Sequence, residues 1–94
     1  MLNREKELVE YQKAQEELKE GIVEFLERNS ERKHTLKEIA EVIKIPTYWK
    51  GFSQPQKEVI VSKQLSYLVK MGKAEEIEEE KEFKITYHYK IKQF

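Results

Sequence analysis

The sequence predicts an α+β domain, three helices followed by a two-stranded β-hairpin. Three observations carry this. Apolar residues recur at helical steps from Asn3 to Asn29. Two capping-box patterns, Thr35 with Glu38 and Ser53 with Gln56, each open a further amphipathic run. After Gly72 the period of alternation drops to that of a strand.

In the first helix the recurring positions are Leu8, Tyr11, Gln15, Leu18, Ile22 and Phe25. Glu5 and Glu7 suit its N-terminal end and Arg28 its C-terminal end. Gly21 costs roughly 1 kcal/mol against alanine, and is expected either to split the segment or to admit another helix closely. Unbroken, the helix would span about 40 Å at 1.5 Å per residue, longer than so small a domain needs. Residues 1–19 are therefore expected to form a helical arm and residues 20–92 the core. The arm's stripe of Leu8, Tyr11 and Leu18 calls for a dimer partner.

The second helix is expected over Leu36–Ile43, with Leu36, Ile39, Ala40 and Ile43 inward and Pro46 closing it off. Thr47–Phe52 is an aromatic connection hinged at Gly51, with Trp49 and Phe52 expected between the second and third helices. The third helix runs from the Ser53 cap, with Pro55 in its first turn, to Gly72. At 100° per residue Val61, Leu65 and Leu68 fall on one side, and Gln56, Val59, Lys63, Ser66, Tyr67 and Lys70 on the other. The hairpin has a weak first strand around Ile77 and a tip expected near Glu80–Glu82. In its second strand Phe83, Ile85, Tyr87, Tyr89 and Ile91 alternate with Lys84, Thr86, His88, Lys90 and Lys92, the pattern of a half-buried strand.

With 94 residues, 38% of them apolar and 38% charged, the chain reads as one domain, 1–94, with a heavily charged surface. It contains no cysteine, which excludes disulfides, zinc–cysteine sites and thiol nucleophiles. No apolar run approaches the ~18 residues of a membrane span, and Met-Leu-Asn-Arg-Glu does not begin a signal peptide. A cytoplasmic protein is expected, with no membrane contact. His34 and His88 have no cysteine or aspartate near them, so no metal site and no cofactor are read. A phosphate-binding glycine loop, a nucleophile motif and a paired-acid pattern are all lacking, and the chain is not expected to be an enzyme.

Net charge is zero, but its distribution is uneven. Residues 1–43 carry −3. Residues 44–73 hold six lysines against Glu58 alone, +5. Residues 74–82 hold six glutamates against Lys81, −5, and residues 83–94 add +3. The positive block coincides with the third helix, and phosphate contacts act locally. On that face Lys63 and Gln56 can reach base edges, Gln pairing with adenine and Lys with guanine acceptors. Val59 can meet a thymine methyl, with Ser66 and Tyr67 beside it. Lys50, Lys57, Lys70 and Lys73 are candidates for phosphate contact.

The order of elements resembles the winged helix-turn-helix family, especially small regulators of the MarR and ArsR type such as archaea and their viruses encode. Thr35-Leu-Lys-Glu-Ile-Ala-Glu-Val-Ile43 is similar to that family's second helix. Val61-Ser-Lys-Gln-Leu-Ser-Tyr-Leu-Val-Lys-Met-Gly72 looks like its recognition helix, here 54–71, with the terminal glycine. Thr86-Tyr-His-Tyr-Lys-Ile91 resembles its second wing strand. The likeness covers about residues 20–92. It implies sequence-specific binding of double-stranded DNA by a homodimer, with a transcriptional role, and it assigns no small-molecule effector. Two features depart from the pattern. The tip Glu78-Glu-Glu-Lys-Glu82 is acidic, so the wing is not expected to enter a groove, although Lys84 in the second strand can touch backbone. The connection Lys44–Gln54 is longer than a tight helix-turn-helix. The alternative is the same fold used as a protein–protein interaction module without DNA binding.

Overall fold

Regular helical spacing of apolar residues closes one unbroken helix, α1 (Asn3–Arg28), in the computed structural model, which describes residues 3–92. A two-residue strand β1 (His34–Thr35) leads into α2 (Leu36–Val42), and a 3₁₀ turn at Thr47–Trp49 precedes α3 (Gln54–Lys70). The strands β2 (Ala74–Lys81) and β3 (Lys84–Ile91) form the hairpin. All pairing is antiparallel, in the order β1-β3-β2, with His34 opposite Tyr89 and Thr35 opposite His88. The architecture is thus α+β, three helices against a three-stranded antiparallel sheet. No helix among the described residues is long and apolar enough to cross a membrane.

One face of each element builds a single core. Ala14, Leu18, Ile22 and Leu26 from α1 meet Ile39 and Ala40 from α2, Val61, Leu65 and Leu68 from α3, and Ala74 and Tyr89 from the sheet. Gly21 neither splits α1 nor admits a neighbour: a Cβ built there meets nothing within 4 Å. The arm also differs from its expected extent. Leu18 is buried in its own core, and Tyr11 is half-buried against Tyr48 and Trp49, with ring centroids 5.7 and 6.2 Å away. Of the three residues assigned to dimerisation only Leu8, 57% exposed, is free for a partner. The stripe continues unbroken along the helix, so nothing in its spacing marks where the core begins.

The ends of α2 and α3 are satisfied locally. The Thr35 hydroxyl accepts from the Glu38 amide at 3.1 Å, and α2 stops one residue short of the expected Ile43, which caps it through a bond to Ile39. Gln56 Oε1 accepts the Ser53 amide at 2.9 Å, the return half of the second capping box. At the far end of α3, Lys73 N–H donates to Leu68 O and Gly72 N–H to Val69 O, with Gly72 at φ +75°. That pair of bonds is the Schellman arrangement, and the left-handed residue in it costs glycine nothing sterically.

The join between α1, β1 and α2 centres on His34, buried at 1% exposure. Its ring lies 4.9 Å from that of Phe25, its Nε2–H donates to Asn29 O at 3.2 Å, and Nδ1 faces Glu38 Oε1 at 3.0 Å. Both ring nitrogens thus face an acceptor oxygen, one from α2 and one from the end of α1. The His34 hydrogen bond, with His34 and Arg32 charges beside it, holds the Glu38 carboxyl below the usual carboxylate range. This histidine is a structural tie. Among the described residues no group of three or more metal-ligating side chains occurs.

Two features of the hairpin differ from expectation. Its turn is Glu82–Phe83 rather than Glu80–Glu82, because Lys81 pairs with Lys84 and leaves a two-residue loop. Both loop residues take positive φ, 47° and 67°, as a type I′ turn requires. Second, β3 is buried only near its base. Tyr89 is in the core and Ile91 packs against it, but Ile85 and Tyr87 are exposed and Phe83 fully so. The hairpin therefore overhangs a molecule measuring 52 × 31 × 20 Å.

Burial, with Glu76 alongside, pushes the Tyr89 phenol up from 10.0 to about 12. The unfolded chain gives up this proton first, so the folded state binds more protons between those values and stability falls as pH rises through them. Urea unfolding of Tyr89→Phe beside the parent across this window should show the shallower loss in the variant. Equal slopes would remove Tyr89 as the cause.

Candidate nucleic-acid interface

The α3 surface is set by its burial. Val61, Leu65 and Leu68 are fully inside, which turns Gln56, Val59, Lys63, Ser66, Tyr67 and Lys70 outward, and all six are exposed. They occupy a stripe about 100° wide that runs some 21 Å at 1.5 Å per residue. Val59, at 57% exposure, is an apolar point among lysines and hydrogen-bonding groups. Such a stripe matches a major groove roughly 12 Å wide, where base edges offer acceptors and thymine a methyl.

The remaining candidates divide. Lys50, at the end of the 3₁₀ turn, and Lys73, just past α3, are exposed near its two ends. Lys57 is half-buried and lies off the stripe. Lys84 sits beside the turn, directly across from Lys81. Seven residues of strand, about 23 Å at 3.3 Å each, separate it from Ile91 at the hairpin base, so it is not part of the α3 patch. Lys37 is a cation absent from the expected set. Gln54 Nε2 donates to the Lys37 carbonyl at 3.5 Å, which brings α2's exposed Lys37 to the N-terminal end of α3. No local signal reveals this, because the bond joins residues seventeen apart.

Two of the stripe's side chains are already engaged. The Gln56 carbonyl oxygen accepts both the Ser53 amide and its hydroxyl, at 2.9 and 3.1 Å. A bidentate pair with adenine needs that same oxygen as acceptor, so Gln56 is first a cap and offers only its amide protons outward. Gln56→Ala is accordingly expected to cost about 1 kcal/mol of stability, read as a lowered midpoint in chemical unfolding. An unchanged midpoint would return the residue to the free set. Tyr67 carries the Lys19 ammonium 5.0 Å from its ring centre, and Lys19 is in turn paired with Glu16 at 2.8 Å. Lys63, Ser66 and Lys70 stay free of hydrogen bonds and ion pairs among the described residues.

The connection that presents α3 is anchored on α1, not between α2 and α3. Trp49 is buried edge-on to Tyr11 and Tyr48, at 6.2 and 5.4 Å. Tyr11, Trp49, Phe52 and Lys63 line one shallow cleft between α1 and α3. The aromatic cluster thus fixes an eleven-residue connection that a tight turn would otherwise replace. No protein-family model, curated protein or solved structure matches this chain significantly.

Proposed function

We propose that the chain is a winged helix-turn-helix protein that binds duplex DNA sequence-specifically as a homodimer and acts in transcriptional regulation, with no catalytic activity. The observation that carries the reading is the exposed α3 stripe, whose free Lys63, Ser66 and Lys70 lie inside the only strongly positive block of the chain. The element order and the β1-β3-β2 sheet support it. In this reading α3 lies in the major groove, Lys63 and Ser66 reach base edges, and Lys37, Lys50, Lys70 and Lys73 meet phosphates. The hairpin's glutamates keep it away from the backbone, so α3 supplies most of the contact. Dimerisation uses the exposed start of α1, where Leu8 and Val9 present apolar surface, and sets two α3 helices about one DNA turn apart.

Salt titration of duplex binding tests the reading. With four lysines of each protomer on phosphates, log affinity is expected to fall against log salt with a slope of about −4 per protomer. Absence of binding even at low salt removes the DNA function. A protein-interaction module is the second reading, favoured by the uncovered apolar side chains of the hairpin, and the same titration separates the two.

A further inference from the structure

Cross-strand neighbours share a face of the sheet, so Glu78 stands beside Tyr87 and Glu80 beside Ile85. Toward the base this face continues through Glu76 beside Tyr89, where Tyr89 is buried. Toward the tip the core ends. Ile85 and Tyr87 are 51% and 46% exposed, and the three glutamates are exposed with them. No ion pair among the described residues holds Glu76, Glu78 or Glu80. The result is an apolar strip bordered by a row of exposed carboxylates, of which Glu76 is engaged by the Tyr89 phenol.

What complements such a strip is an apolar ridge bordered by cations, and the chain carries one. The α3 stripe sets Val59 and Tyr67 among Lys63 and Lys70, all exposed. Residues 74–82, which supply the glutamates of the strip, carry −5 and residues 44–73, which hold α3, carry +5; residues 83–94, which supply Ile85 and Tyr87, carry +3, and the whole chain is neutral. Two copies therefore meet with no net repulsion and with matched local fields. Within one chain neither surface covers the other, since both are exposed. The hairpin strip continues the side of the sheet packed on the core, whereas the α3 stripe points away from that core.

We infer that the acidic, apolar face of the hairpin docks on the α3 stripe of a second copy, and that two copies exchanging hairpins close a two-fold pair in which each masks the other's cationic face. This contact is separate from the α1 contact proposed above and stands whether or not α3 binds DNA. If α3 does bind DNA, the pair is a self-inhibited form that duplex must open.

Sedimentation tests it on full-length protein, with every sample carrying Leu8→Glu so that α1 adds no contact. At about 0.02 M salt the mass should rise with concentration from 11.4 kDa toward twice that value, and return to the monomer at about 0.5 M, where charges are screened within a few ångströms. Glu78→Lys with Glu80→Lys should stay monomeric, as should Lys63→Glu with Lys70→Glu. Mixing the two should restore association, because each then meets an opposite charge. Circular dichroism checks that both are folded. If a reversed variant is not folded, Glu78→Gln with Glu80→Gln replaces it and should weaken association at least tenfold. A monomeric parent at low salt, a reversed variant that associates like the parent, or a mixture of folded variants that stays monomeric overturns the inference. So does a hairpin that takes up polylysine while the parent stays monomeric. A short duplex added to the pair reports separately on DNA: failure to dissolve it tells against duplex binding and leaves the pairing intact.

Discussion

Lys63→Glu is expected to weaken duplex binding by at least about 2 kcal/mol, roughly thirtyfold, and to flatten the salt slope by about one unit. The substitution reverses a charge at the middle of the α3 stripe, where Lys63 is exposed and free of protein partners. Fluorescence anisotropy on a labelled duplex at two salt concentrations measures both quantities. Because the side chain lies outside the core, unfolding midpoints should match those of the parent. Undiminished binding by a folded Lys63→Glu protein would show that α3 does not face DNA.

Trp49→Ala is expected to produce the largest loss of stability among single changes to the connection, about 3–5 kcal/mol. The indole is buried against Tyr11 and Tyr48 and fills the space between the connection and α1. Without it the eleven residues before α3 lose their anchor, so duplex affinity should fall together with the unfolding midpoint. Trp49→Phe, which keeps an aromatic ring in place, should recover most of both. A loss below about 1 kcal/mol would mean that the connection is held elsewhere, because cavities of that size ordinarily cost more.

The parts of this fold legible in the sequence are those with a local cause. Thr35 and Ser53 announce helix starts because their partners lie three residues on, and Gly72 announces a stop because its backbone must turn left-handed. The inward side of α3 follows from the spacing of Val61, Leu65 and Leu68 alone. The parts that were not legible have distant causes. Strand β1 is two residues long, too short for a period, and exists because Tyr89 and His88 pair with it from the far end of the chain. Alternation in β3 identifies which side chains share a face, but it cannot tell how far the core reaches beneath them. Ile85 and Tyr87 therefore read as half-buried and prove uncovered. The turn carries no sequence signal because Glu82 and Phe83 adopt positive φ without the glycine or asparagine that usually marks it. At the candidate interface the exposed stripe and the capping role of Gln56 follow from local spacing, whereas the approach of Lys37 depends on a hydrogen bond between residues seventeen apart.

Strand β2 lies at the margin of the sheet with β3 on one side only, over eight residues. A margin of that length is a template on which another chain's strand can grow, and repeated addition leads to fibres. Glutamate at five of its eight positions keeps like strands apart, since alignment of two copies would stack carboxylate on carboxylate. That safeguard consists of charge alone, so it is withdrawn wherever those carboxylates are neutralised. Protection of that margin against strand addition thus rests on the charge of its side chains rather than on any feature of its packing.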